Sequence, residues 1–282
     1  MGFLKYDNEN LFIEKNNKII LTKYKKYFEF MKSINGIEEN KSNIEYNGLK
    51  LSNKNTLFVD LTSINSLVNI FSNKNKLIDE YIKYKIENLI LTQEDEECIY
   101  SILVKYLKDI NNDKETIIDI DFYKLVKSYL NVEIEDAMDF LKIFNITLKS
   151  NNISNVFVFY KSSMLKEFKL FDLLEIENDK LYLFEICDKE STIYQNDNIL
   201  FFDSEITQIQ VDTLFELIVK KLNKDIDKDI YLYLISKIFF YSINKKEVDI
   251  MSKYLNEISE LCEIIYKEFK LNLIDTSDYI NN

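Results

Sequence analysis

The chain has 282 residues, 46% of them apolar and 14% aromatic, enough to bury one large core or two modest ones. It contains no His, Pro or Trp, and every side-chain cation is a lysine, which excludes imidazole bases, His-ligated metals, Ser-His or Cys-His nucleophiles and arginine fingers. The net charge of −12 is uneven: residues 1–86 hold 14 Lys against 10 acids, and the rest holds 22 Lys against 38 acids.

Alternation in "LFIEKNNKIIL" predicts a hairpin turning at Lys15 to Asn17. "KYKKYFEFMKSI" predicts a helix with Tyr27, Phe30, Met31 and Ile34 on one face. A loop and short strand follow, with a turn at Gly48, and then "NTLFVDLT", a continuous apolar strand suited to a sheet covered on both faces. From Ser63 to about Ser150 the period becomes helical: Ser63 to Phe71, Leu77 to Leu91, Glu94 to Lys108, and Phe122 to Ser150 with a break near Asn131. Strand signal returns at Val156 to Tyr160, followed by a helix over Met164 to Leu174 and strands at Lys180 to Ile186 and Asn198 to Phe202. Strand, helix, strand with short connections implies right-handed parallel units. Val211 to Leu273 reads as three helices, broken near Asn223 to Lys228 and at Ile243 to Lys246. The fold class is therefore α/β: a mostly parallel sheet interrupted by a long helical excursion and followed by a helical tail.

The segment "SNVFVFYKSSM" poses a chemical question. A strand runs into a polar turn and a helix, the place where many α/β proteins seat a phosphate, yet the turn Lys161-Ser162-Ser163 has no glycine and no Walker motif. Cys98, Cys187 and Cys262 lie far apart without a CxxC pair, so they read as apolar fillers in a reducing cytoplasm. "MGFLKYDNEN" lacks the apolar core of a signal peptide, and the apolar run Ile230 to Ile243 is too short to span a bilayer; the expected location is cytoplasmic.

Taken in order, these stretches resemble the Csn-two family, the spacer-acquisition protein of type II-A CRISPR–Cas systems. The matching wording is "LFIEKNNKIIL", "NTLFVDLTSINSLVNIFSNKNKLIDEYI", "YKLVKSYLNVEIEDAMDFLKIF", "NVFVFYKSSMLKEFKLFDLLEIENDKLYLFEICDKE" and "NDNILFFD", covering roughly residues 1–206. The tail from Val211 resembles the C-terminal extension of long members. The resemblance implies a P-loop-like α/β head without Walker motifs over 1–72 and 151–206, a helical leg over 73–150 and a helical extension over 211–282. It implies a tetrameric ring that threads linear double-stranded DNA, is stabilised by Ca2+, and works beside the CRISPR integrase and the RNA-guided effector nuclease without enzymatic activity of its own.

Duplex threading needs cations at phosphate spacing, not base readout. The candidates are Lys15, Lys18, Lys23, Lys25, Lys26, Lys74 and Lys76, each of which also reads as an ordinary solubilising lysine. For calcium the candidates are Glu115, Asp119 and Asp121, whose spacing can aim oxygen ligands at one hard cation. A helix N-cap near Phe122 explains the same two aspartates equally well. "DIDKD" (Asp225 to Asp229) reads as a cap, "EDEE" (Glu94 to Glu97) as a first helical turn, and Asp60 as a cap or a sheet-end acceptor. Two other readings stand beside the DNA-binding one: a degenerate P-loop-like nucleotide-dependent enzyme, and a protein–protein interaction module.

Overall fold

A computed structural model describes residues 2–6, 9–21, 24–35, 44–51, 55–70, 75–88, 92–110, 123–124, 127, 132, 134, 136–203, 205–224, 227–243, 254–271 and 273. The strands with the strongest apolar runs build its centre. β6 (Thr56–Leu61), β7 (Asn155–Tyr160), β8 (Leu181–Ile186) and β9 (Asn198–Phe202) join β3 (Asn16–Leu21) and β10 (Ile206–Gln210) in a six-stranded sheet of order β10-β9-β3-β8-β7-β6. Every pairing is parallel except β9 with β10. All residues of β7, β8 and β9 are buried, as expected for parallel strands covered on both faces.

The two faces separate by side-chain parity. On one, Ile19, Phe157, Phe159, Phe184, Leu200 and Phe202 pack against Tyr27 and Phe30 of helix α1 (Tyr24–Asn35). On the other, Ile20, Ile199 and Phe201 meet the C-terminal helices α7 (Val211–Leu222), α8 (Lys228–Ile243) and α9 (Leu255–Phe269) through Leu214, Ile218, Ile235, Phe239 and Ile265. The expected extension over 211–282 thus shares a core with the sheet. Asp227 caps α8, accepting from the N–H groups of Asp229 (2.9 Å) and Ile230 (3.3 Å).

The predicted hairpin does not form. β2 (Glu9–Ile13) leaves β3 and instead pairs with β1 (Gly2–Tyr6) in a second, antiparallel sheet of order β2-β1-β4-β5. The reason is burial: Ile19 and Ile20 are both fully enclosed, and only a central position between β8 and β9 buries both faces of β3. β4 (Glu45–Tyr46) and β5 (Leu49–Lys50) close over Asn47 and Gly48, with φ of 49° and 78°, a left-handed pair that tightens the hairpin at the expected glycine.

The helix expected over Met164 to Leu174 is two pieces. α6 (Ser162–Phe168) ends at Lys169, whose φ of 56° turns the chain into a 3-10 helix at Phe171–Glu175. Between β6 and β7 the chain runs through helix α2 (Ile64–Ile70), whose Ser66 N–H donates to Ser63 Oγ (3.2 Å), while Asp60 at the end of β6 accepts from Thr62 N–H (2.9 Å) and Ser66 Oγ (2.9 Å).

The chain divides into two compact units, Met1–Val68 with Asn152–Asn282, and Asn69–Asn151. In the second, α3 (Lys76–Glu87) packs on α5 (Ala137–Thr147) through Leu77, Ile78, Ile82, Phe140 and Phe144. α4 (Gln93–Ile110) starts with Thr92 and Asp95 capping each other reciprocally, so the acidic run lies in the first turn. Burial would raise the Asp79 carboxyl, but hydrogen bonds from Lys127, Tyr123 and Lys83 hold it down at about 2. Among the described residues no helix is long and apolar enough to cross a membrane.

Candidate functional site

The turn after β7 is the natural place to look for chemistry, because the first helical N–H groups there would face a phosphate. Here the chain fills that seat with its own carboxylates. Ser163 N–H donates to Asp188 Oδ2 at 3.0 Å, and the Ser163 hydroxyl bonds the same oxygen. Ser162 Oγ donates to Glu185 Oε1 at 2.8 Å. Asp188 is itself held by Glu190 N–H at 2.9 Å and by the Ser191 hydroxyl. Asp188→Ala is expected to cost about 1 kcal/mol by removing this cap; a fall in thermal midpoint of a few degrees, with Asp188→Asn intermediate, is the measurable outcome.

Beneath the turn lies a charged ladder across three adjacent strands. Register places Lys18 beside Glu185 and Glu185 beside Tyr160. Lys18 is 5% exposed, and its Nζ lies 3.2 Å from Glu185 Oε2 and 3.2 Å from Asp197 Oδ2, with the Tyr194 ring 5.2 Å away. Burial disfavours the ammonium, but Glu185 and Asp197 outweigh it and hold Lys18 above the usual lysine range. Burial also raises Asp197, because the one ammonium that opposes the effect is shared with Glu185. Burial and then Glu185 push the Tyr160 phenol up. This ladder floors a cleft of about 440 Å³ rimmed by Phe171, Leu174 and the Lys166–Glu190 pair. Its lining holds three carboxylates, Glu185, Glu190 and Asp197, against two ammonium groups, Lys18 and Lys166, so it repels a polyphosphate.

The DNA-contact lysines separate into distinct environments. Lys18 is the correction: enclosed between two carboxylates, it cannot reach a phosphate. Lys15 is exposed, 3.8 Å from Asp179, and Lys25 is exposed, 3.9 Å from Glu29. Lys26 lies 3.4 Å from Glu9 and is mostly covered. Lys76 is partly buried beside Glu80, Lys83 and Asp79, and burial lowers its pKa. Lys23 and Lys74 lie outside the described residues, as do the calcium candidates Glu115, Asp119 and Asp121. Among the described residues no group of three metal-ligating side chains converges. The Lys18–Glu185–Asp197 cluster was missed from sequence because its members are distant in the chain and meet only through strand register.

Fold and site together define a mixed α/β protein whose six-stranded, mostly parallel sheet carries a self-filled anion seat, with a helical unit inserted between β6 and β7. No protein-family model and no curated protein sequence matches the chain. Among solved structures it is similar to Stu0660 of Streptococcus thermophilus, with a TM-score of 0.61 at 12% identity, over 95% of this chain and 93% of that one. At that identity the likeness concerns the fold.

Proposed function

We propose that the chain is a Csn-two-like adaptation protein: a tetrameric, calcium-stabilised ring that binds ends of linear double-stranded DNA without sequence preference during CRISPR spacer capture, alongside the integrase and the RNA-guided nuclease. The observation that carries this reading is the ordered resemblance of residues 1–206, whose quoted stretches fall on β2–β3, on β6 with α2–α3, on α5, on β7–β8 and on β9 in the family's order. The fold likeness to Stu0660, which extends across the helical unit, supports it. The self-filled turn supports a scaffold that works without nucleotide and speaks against the nucleotide-dependent alternative.

Of the candidate lysines among the described residues, Lys15 and Lys25 are the most exposed. Exposed ion pairs are worth about 0–1 kcal/mol, so a phosphate displaces Asp179 or Glu29 at little cost. Calcium would be held by carboxylate oxygens among Glu115, Asp119 and Asp121.

The test is a mobility-shift assay on matched linear and closed-circular duplex, in calcium or chelator, beside light scattering. The expected result is a shift of linear DNA alone by a calcium-stabilised tetramer. The log–log salt slope should be about 0.9 per neutralised phosphate and should flatten in Lys15→Gln/Lys25→Gln. Equal binding to both topologies, no binding, or a monomer in calcium overturns the reading.

A further inference from the structure

In the antiparallel sheet β2-β1-β4-β5, β1 and β2 bury one face and leave the other to solvent. Leu4, Leu11 and Ile13 point into the core, so the alternate residues point outward. Register orders these outward residues into two rows. One row is Phe12 opposite Phe3; the other is Asn10, Lys5, Glu45 and Lys50. The rows are two residues apart along the strands, roughly 7 Å.

The first row is aromatic and open. Phe3 is 59% exposed, and its ring meets Phe12 edge-on with centroids 5.4 Å apart. A β-sheet surface normally presents polar side chains to water, so a phenylalanine pair there needs an occupant. The second row carries a net positive charge: Lys5 and Lys50 are exposed on either side of Glu45, and neither has a carboxylate within 4 Å among the described residues. This distinguishes them from Lys15, Lys25 and Lys26, each of which has a carboxylate within 4 Å. The edge of β2 at Phe12 is covered, its N–H bonded to Gln208 Oε1 (3.0 Å) and its carbonyl to Asn198 Nδ2 (3.1 Å). At Phe12 the open surface is therefore the face and not the strand edge.

Aromatic rings beside exposed ammonium groups on a sheet match the chemistry of unstacked bases joined by phosphates. Along its length duplex DNA hides its base faces and offers nothing to stack on the Phe3–Phe12 row. We propose that this face binds single-stranded nucleic acid, with bases stacking on Phe3 and Phe12 and phosphates running along Lys5 and Lys50. The proposal goes beyond the duplex-end reading and does not depend on it.

The test is fluorescence anisotropy of the full chain with labelled dT10, beside a blunt duplex of equal length. Wild type is expected to bind dT10, and Phe3→Ala to bind it about tenfold more weakly at an unchanged thermal midpoint. Lys5→Gln with Lys50→Gln should flatten the salt slope for dT10 by about 0.7 per lysine. The duplex arm separates the two ideas: Phe3→Ala should leave duplex binding intact, whether that binding is strong or nil. No affinity for dT10, an unchanged affinity in Phe3→Ala, or an equal loss on duplex overturns the proposal. A smaller oligomer in Phe3→Ala, seen by light scattering, also overturns it by assigning the face to a second copy of the chain.

Discussion

Lys18→Met should lower the stability of the sheet-bearing unit by about 3–5 kcal/mol, because it leaves two buried carboxylates without their shared counter-charge. For a unit of this size the thermal midpoint should fall on the order of 10 °C. The pH dependence identifies the cause. In the wild type Lys18 is held above the usual lysine range, so its stabilisation is complete below that range and is lost only as pH rises through the raised value. In the variant, Asp197 loses the cation that opposes burial, and its carboxyl rises further. Raised carboxyls favour the folded state in acid and penalise it above, so the deficit relative to wild type should be smaller at pH 5 than at pH 8. Adding Glu185→Gln and Asp197→Asn to Lys18→Met should recover part of the loss. A deficit that is flat between pH 5 and pH 8, measured by denaturant titration, would count against the charge argument and leave only lost packing.

Phe159→Ala is expected to cost a similar 3–5 kcal/mol for a different reason. Phe159 is fully buried in the middle of β7, its ring stacked on Phe184 with centroids 4.8 Å apart. It also meets Phe58 at 5.1 Å, Phe30 at 6.3 Å and Tyr27 at 6.4 Å. One truncation therefore opens a cavity shared by β6, β8 and α1, and rings held by neighbours on every side cannot collapse into it. This loss should be nearly independent of pH, which separates it from the Lys18 variant. Phe159→Leu, keeping most of the volume, should recover about half; a loss below about 1 kcal/mol for the alanine variant would mean the aromatic cluster repacks freely.

Local chemistry made some of this readable and not the rest. Continuous apolar runs marked β7, β8 and β9 nearly to the residue, because a strand buried on both faces needs no partner to be recognised. β3 reads as one arm of a hairpin because "NN" between alternating residues is a sound turn signal, and nothing nearby reveals that its real neighbours are β8 and β9. β10, "ITQIQ", carries only one buried residue, Ile209, and gave no strand pattern. β1, "GFLKY", is short, and its Phe3 looks like core until register turns it outward. Asp60 was legible as a sheet-end acceptor because its partners, Thr62 and Ser66, follow it within six positions. The ladder of Lys18, Glu185 and Asp197 was not, since a buried lysine and a surface lysine are spelled alike and only the sheet order tells them apart.

The central position of β3 also bears on how the chain is made. Lys18 and its strand neighbour Glu185 are 167 positions apart, so at roughly 5–20 residues per second β3 exists for on the order of ten to thirty seconds before β8 is synthesised. Throughout that interval both of its edges are unpaired and "KIIL" is an invitation to the wrong strand. A bare ammonium in the middle of such a segment deters pairing in an apolar setting, as gatekeeper charges do. When β8 and the segment leading into β9 arrive they bring Glu185 and Asp197, and the charge that kept the newborn strand apart becomes the one that fastens it in place.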